Sequence, residues 1–209
     1  MTLNARDLGA GATSARDPQG GATLTELLIV LAAMMVVGAM ASPSVGNHRD
    51  ELATSGAARY LATRLQHGRM EAIRRATHVA YRFEGDGSGI RYALFADGNR
   101  NGVRTEDIGN GADAQVSAWE SLSDHFAGVT FSIAPGVTDI DSGGPIAGGD
   151  PVRVGGSDLL SFSPTGTATS GTLYLSGRTG QQYAVRVLGA TGRIRTLRFA
   201  RGENQWTSP

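Results

Sequence analysis

The chain of 209 residues has no cysteine. This excludes disulfides, thiolate metal sites and a cysteine nucleophile, although many exported domains fold without disulfides. Lysine is absent too. All nineteen basic residues are arginine, and nineteen acids balance them to a formal net charge of zero, so the whole molecule is no general polyanion binder. Aromatics make up only 6 % of the residues, and the two tryptophans, Trp119 and Trp206, stand far apart. No stacking platform for single-stranded nucleic acid is evident. The four histidines, at 48, 67, 78 and 125, never fall at metal-ligand spacing. There is no P-loop, nucleophile elbow or glycine-rich dinucleotide motif after a strand. Asp139 and Asp141 sit close together in a Gly-rich loop and read as turn residues rather than an acid/base pair. The chain is read as no enzyme, with no cofactor.

What is present in quantity is glycine, at thirty residues, with many Thr, Ser and Val. That composition suggests short strands joined by turns. Long apolar runs are limited to one. Leu27–Val45 is nineteen residues without a charge, and a helix of about 20 residues spans the roughly 30 Å hydrocarbon layer of a bilayer. Before it, residues 1–21 are polar, Gly/Ala-rich and charge-balanced, unlike the positive start of a secretory signal peptide. Glu26 stands at the head of the apolar run. A carboxylate in such a place is costly unless paired, which an ordinary membrane anchor does not explain.

Beyond Pro43 the helical pattern becomes amphipathic. Ala58, Leu61, Leu65 and Ala72 follow helical steps, with Ala62 and Ile73 flanking. One helix is expected from about Ala22 to about Arg75, bent near Pro43, because proline removes a backbone hydrogen bond. Strands are expected at His78–Glu84, Ile90–Ala96, Gly128–Ile133, Asp158–Ser163, Thr172–Leu175, Gln182–Leu188 and Arg193–Phe199, with turn signals between them. Asp139–Gly149 reads as a flexible loop. Without strand–helix–strand alternation, the fold class is α+β: a long N-terminal helix, first transmembrane and then amphipathic, packed on an antiparallel β-sheet or β-sandwich.

Gly21-Ala22-Thr23-Leu24-Thr25-Glu26-Leu27 resembles the prepilin cleavage and methylation motif of type IV pilin-like proteins. The apolar run follows at once, and Pro43 falls where many of these proteins carry a helix-bending proline. Ala22 departs from the usual Phe. The resemblance implies a division into leader peptide 1–21, membrane and filament-core helix 22–45, amphipathic helix 46–75 and β-rich domain 76–209. It implies cutting between Gly21 and Ala22 by a prepilin peptidase/N-methyltransferase, methylation of the Ala22 amine, and pairing of Glu26 with the Ala22 amine of a neighbouring subunit. In a low-dielectric bundle such a pair attracts strongly and would set subunit register.

Later segments narrow the family. Glu71-Ala72-Ile73-Arg74-Arg75 leading to Val79, the stretch Tyr92 to Gly102, Leu160–Gly166 and Gly192-Arg193-Ile194-Arg195 resemble, in order, passages of the GspH/FimT family of minor pseudopilins and minor pilins. That resemblance implies a subunit of a type IV pilus or type II secretion pseudopilus, in its tip or initiation complex. Its partners would be other pilins or pseudopilins and an inner-membrane assembly platform. It would be a single-pass protein of the bacterial inner membrane with its globular domain in the periplasm. A rival class is a membrane-anchored binding protein that never assembles.

Two segments raise ligand questions. Asp97, Asn99 and Asn101 mimic the start of a calcium loop, but Ile108 stands where the closing Glu belongs, and a plain Asn/Gly turn accounts for them equally. Gly192–Arg195 resembles a segment that contacts DNA in FimT-type minor pilins of natural transformation. The resemblance makes DNA a candidate partner and Arg193, Arg195 and Arg198 the candidate contacts. From Arg178 to Arg201 there are six arginines and no acid, whereas Asp97 to Asp158 holds ten acids and three arginines. Alternate strand residues share a face, so Arg193 and Arg195 would project together toward phosphates. A solvated strand edge protected by charge is the bland alternative.

Overall fold

The computed structural model describes residues 23–209, apart from the side chains of residues 39–47 and 147. Its first and longest element is helix α1, Leu24–Arg75. Two short helices follow later, α2 at Thr105–Asn110 and α3 at Leu122–His125. The strands are β1 Val79–Gly85, β2 Ile90–Ala96, β3 Ala114–Gln115, β4 Glu120–Ser121, β5 Thr130–Phe131, β6 Val152–Arg153, β7 Leu159–Phe162, β8 Gly171–Ser176, β9 Gln182–Leu188, β10 Arg193–Ala200 and β11 Gln205–Thr207. The chain divides at Ser42/Pro43 into two units.

In the first unit, the start of α1 is apolar on every side, and its large side chains from Leu24 to Val37 are all exposed. Among the described residues no helix is long and apolar enough to cross a membrane. The span expected at 22–45 falls partly outside those residues. So does the Pro43 side chain, and with it the bend expected there.

The second unit is built as the apolar periodicity predicts. Ala58, Leu61, Leu65 and Ala72 are fully buried, and Ala62 packs beside them. Ile73, at the flank, stays 43 % exposed. This stripe meets two antiparallel sheets. The first has the order β3-β2-β1-β7, with β4 also on β2. The second runs β11-β10-β9-β8-β5, with β6 also on β8. Tyr81, Phe83, Tyr92 and Leu94 of the first sheet share one core with Leu173, Leu175, Val185 and Val187 of the second. The architecture is α+β.

Polar clamps fix the helix to the sheets. Buried Asp50 accepts the Arg178 and Thr179 amides (3.0 and 2.8 Å) and the Thr179 hydroxyl (2.5 Å), so the helix holds the β8–β9 turn. Burial pushes the Asp50 carboxyl up, but these hydrogen bonds and the nearby Arg178 together hold it below the ordinary aspartate value. Farther along, Arg64 pairs with Glu120 (2.5 Å), which also accepts the Tyr60 hydroxyl (2.8 Å).

The principal strands lie where alternation and turn signals place them, within a residue or two, except that the 128–133 strand shrinks to Thr130–Phe131. The loop expected to be flexible at 139–149 is instead hydrogen-bonded. Asp139 accepts the amides of Asp141 and Ser142 (both 3.0 Å), and its own amide bonds the Gly144 carbonyl (2.8 Å). An aspartate able to cap its own turn orders a segment that composition alone marks as loose.

Candidate assembly helix and basic face

The expected cleavage and methylation residues, Gly21 and Ala22, lie outside the described residues. Immediately after them, Thr23 accepts the Glu26 amide through both its carbonyl (3.0 Å) and its side-chain hydroxyl (3.3 Å). Thr23 is therefore the N-cap of α1 and Glu26 its third residue, the spacing of a capping box. An acid in the first turn also suits the positive end of the helix dipole. Glu26 is exposed among apolar neighbours that are themselves 47–75 % exposed from Leu24 to Val37. Among the described residues this carboxylate stands on an uncovered apolar helix surface with no basic side chain paired to it.

The Asp97 segment is a turn. Asp97 accepts the amides of Asn99 (3.1 Å), Arg100 (2.6 Å) and Gly102 (2.9 Å). Asn99 accepts the Asn101 amide, and the Asn101 side chain donates to Asp107. Among the described residues no group of three or more His, Asp or Glu side chains is arranged to hold a metal. In this structure Asp97 and Asn99 cap the loop ahead of α2, and Asn101 ties it to Asp107.

The late arginines divide. β10 pairs with β9 along most of its length but with β11 only from Arg198 to Ala200, so its outer edge is open from Arg193 to Leu197. Ile194 joins the helix-side core, which turns Arg193 and Arg195 to the opposite, exposed face. Arg198 has the other parity and reaches Glu51 of α1 at 2.8 Å. Of the expected trio, Arg193 and Arg195 thus share one face, while Arg198 lies on the other in a helix-to-sheet ion pair. The glycine before Arg193 has its own task. Gly192 is buried at φ 60°. A side chain there would collide with the Gly166 carbonyl and with Arg69 of α1, whose Nε donates to that same carbonyl at 2.9 Å.

Sequence reasoning missed two further arginines on this face. The register sets Arg195 opposite Arg186, Arg186 opposite Thr172, and Thr172 opposite Arg153. A basic row thus crosses β10, β9, β8 and β6. Loop acids answer it. Arg153 pairs with Asp139, and Arg186 with Asp141 at 2.6 Å, around a groove of about 310 Å³. Burial raises the Asp139 carboxyl, yet the turn amides, the Ser142 hydroxyl and Arg153 bring it below its ordinary value. Part of this row was readable. Four residues separate Leu188 from Arg193, and a symmetric hairpin across them places 186 against 195. The loop acids carried no comparable signal.

The family model for the type II transport protein GspH matches residues 57–192, most of the helix-and-sheet unit just described. The chain belongs to the GspH family of type IV pilin-like proteins. The pilin-like protein PilA1 of Thermus thermophilus is 43 % identical to this GspH-family protein over 81 residues, 39 % of this chain and 50 % of that protein. The chain thus spans about half the length of that relative. The minor pseudopilin EpsH from the type 2 secretion system of Vibrio cholerae aligns at 16 % identity, with a TM-score of 0.42, over 69 % of this chain and 96 % of that one. That likeness is too distant to bear on mechanism.

Proposed function

We propose that this GspH-family protein is a minor pilin or pseudopilin that is cut between Gly21 and Ala22, methylated on Ala22, and drawn from the inner membrane into a filament. The observation that carries this reading is the start of α1. Apolar side chains from Leu24 to Val37 left uncovered by the described residues call for lipid or neighbouring helices, and a single acid, Glu26, stands exposed among them. The new Ala22 amine of an adjacent subunit supplies the opposite charge. The pilin-like relative and the family match support the same reading. The partners are then a prepilin peptidase, an inner-membrane assembly platform and other pilins or pseudopilins. The globular part sits in the periplasm and, in the filament, at the tip or initiation complex.

Mass spectrometry of the mature protein tests the cut. A chain beginning at methylated Ala22 is expected, and any other start removes the Glu26 partner. In cells, Glu26→Ala is expected to stay membrane-bound and folded while losing incorporation into sheared filaments. Undiminished incorporation would overturn the Glu26 pairing, and absence of the wild-type chain itself from sheared filaments would favour a non-assembling anchor.

A second reading, a minor pilin that captures DNA, is favoured by one feature: Arg193 and Arg195 stand on one exposed face beside an open strand edge, with no acidic partner among the described residues. A gel shift with the full chain in detergent tests it. Duplex binding at low salt that is lost in Arg193→Gln/Arg195→Gln supports capture, and its persistence in that variant excludes it.

A further inference from the structure

Arg195 and Arg186 stand directly opposite one another on the same sheet face. Like charges in that position disfavour strand pairing, so the arrangement calls for an anion. The chain provides one of its own. Asp141, whose side chain is 69 % exposed, reaches Arg186 at 2.6 Å. The neighbouring pair is of another kind. Asp139 is nearly buried, accepts two backbone amides and the Ser142 hydroxyl, and holds Arg153. The Arg186 side chain is itself only 26 % exposed, so the contrast lies in the carboxylates: a solvated acid with no other bond is exchanged for another anion more readily than a buried, multiply bonded one. The loop therefore locks Arg153 and only lends Asp141 to Arg186.

We propose that Arg186 joins Arg195 and Arg193 in a seat for successive backbone phosphates of duplex DNA, and that Asp141 is its resident competitor, displaced when DNA binds. This rests on the DNA reading above and deepens it by adding a third contact and a built-in brake. Arg193 and Arg195 lie about 7 Å apart along the strand, and Arg186 lies about 5 Å away on the next. The spacing suits phosphates rather than base edges. No aromatic platform accompanies the row: Trp206, the aromatic of β11, packs on Phe199 and Tyr174 and donates to the Thr138 carbonyl (2.8 Å). Stacking of unpaired bases is therefore not part of the seat.

The test is fluorescence anisotropy of a labelled mixed-sequence duplex with the full chain in detergent, across a salt series. Asp141→Asn is expected to tighten binding about three- to tenfold. Arg186→Gln is expected to weaken binding and to lower the salt slope by about 0.9, the value of one phosphate contact. The gain from Asp141→Asn should vanish in the Arg186→Gln background, since the two act through one pair. Unchanged affinity in Asp141→Asn, with binding still dependent on Arg193 and Arg195, overturns this proposal and leaves DNA capture standing. Absence of binding at low salt by both the wild type and Asp141→Asn overturns capture and the brake together. Matching thermal melts for all variants exclude misfolding as the cause.

Discussion

Gly192 illustrates what one residue is asked to do here. Its φ of 60° suits glycine, but conformation is the smaller part. The close approach of the Gly166 carbonyl and the Arg69 guanidinium leaves no room for a methyl group. Gly192→Ala should therefore lose about 2 kcal/mol or more of unfolding free energy, read as a shifted urea midpoint with an unchanged slope. A shift of only a few tenths would mean that Arg69 swings aside at little cost. The sequence displays this glycine only as a turn signal beside two arginines. Its reason lies on a helix far back in the chain, and no local pattern connects the two. Arg198 teaches the converse. Counting along the strand puts it on the other face from Arg193 and Arg195, so parity alone sets it apart from that pair.

Elements repeat the same division between what is periodic and what is contingent. The buried stripe of α1 and the strands β1, β2, β9 and β10 were visible because their side chains recur with the period of the structure they form. Strands of two or three residues, such as β3, β4, β6 and β11, are too short to have a period and exist because longer strands offer them an edge. Their absence from the sequence reading matters, since β4 carries Glu120 and β6 carries Arg153 to their partners. Glu120 joins Tyr60 and Arg64 of the helix to the first sheet. The Arg64 side chain is 27 % exposed and that of Glu120 15 %, so the clamp is partly screened. Glu120→Ala should cost about 1–3 kcal/mol, mostly by leaving Tyr60 and Arg64 without an acceptor. Arg64→Ala/Glu120→Ala should cost less than the sum of the two single changes in a denaturation cycle. Strict additivity would mean that the pair contributes nothing as a pair.

For the whole molecule, charge that is segregated in sequence is mixed in space. The acid-rich middle of the chain folds against the arginine-rich end where Asp141 pairs with Arg186, while Asp139 pairs with Arg153 inside the middle itself. Several carboxylates are consequently better stabilised folded than unfolded. Asp50 and Asp139 are held below their ordinary value, and the hydrogen bonds and charges of Arg74 and Arg75 bring Glu71 down to about 2 from 4.5. The sign follows directly. Below the ordinary carboxylate range of about 4, the unfolded chain takes up protons that the folded one resists. Stability is therefore fully present near neutrality and drains away as pH falls through 4 toward the depressed folded values. Asp50 should contribute to this loss through the hydrogen bonds that tie the helix to the β8–β9 turn. Asp50→Asn should lower stability by about 2 kcal/mol at pH 7. Its urea midpoint should then fall less steeply than that of the wild type between pH 5 and 3, so that the two curves converge. Parallel curves would place the acid sensitivity elsewhere and reduce the Asp50 clamp to ordinary hydrogen bonding, indifferent to its charge.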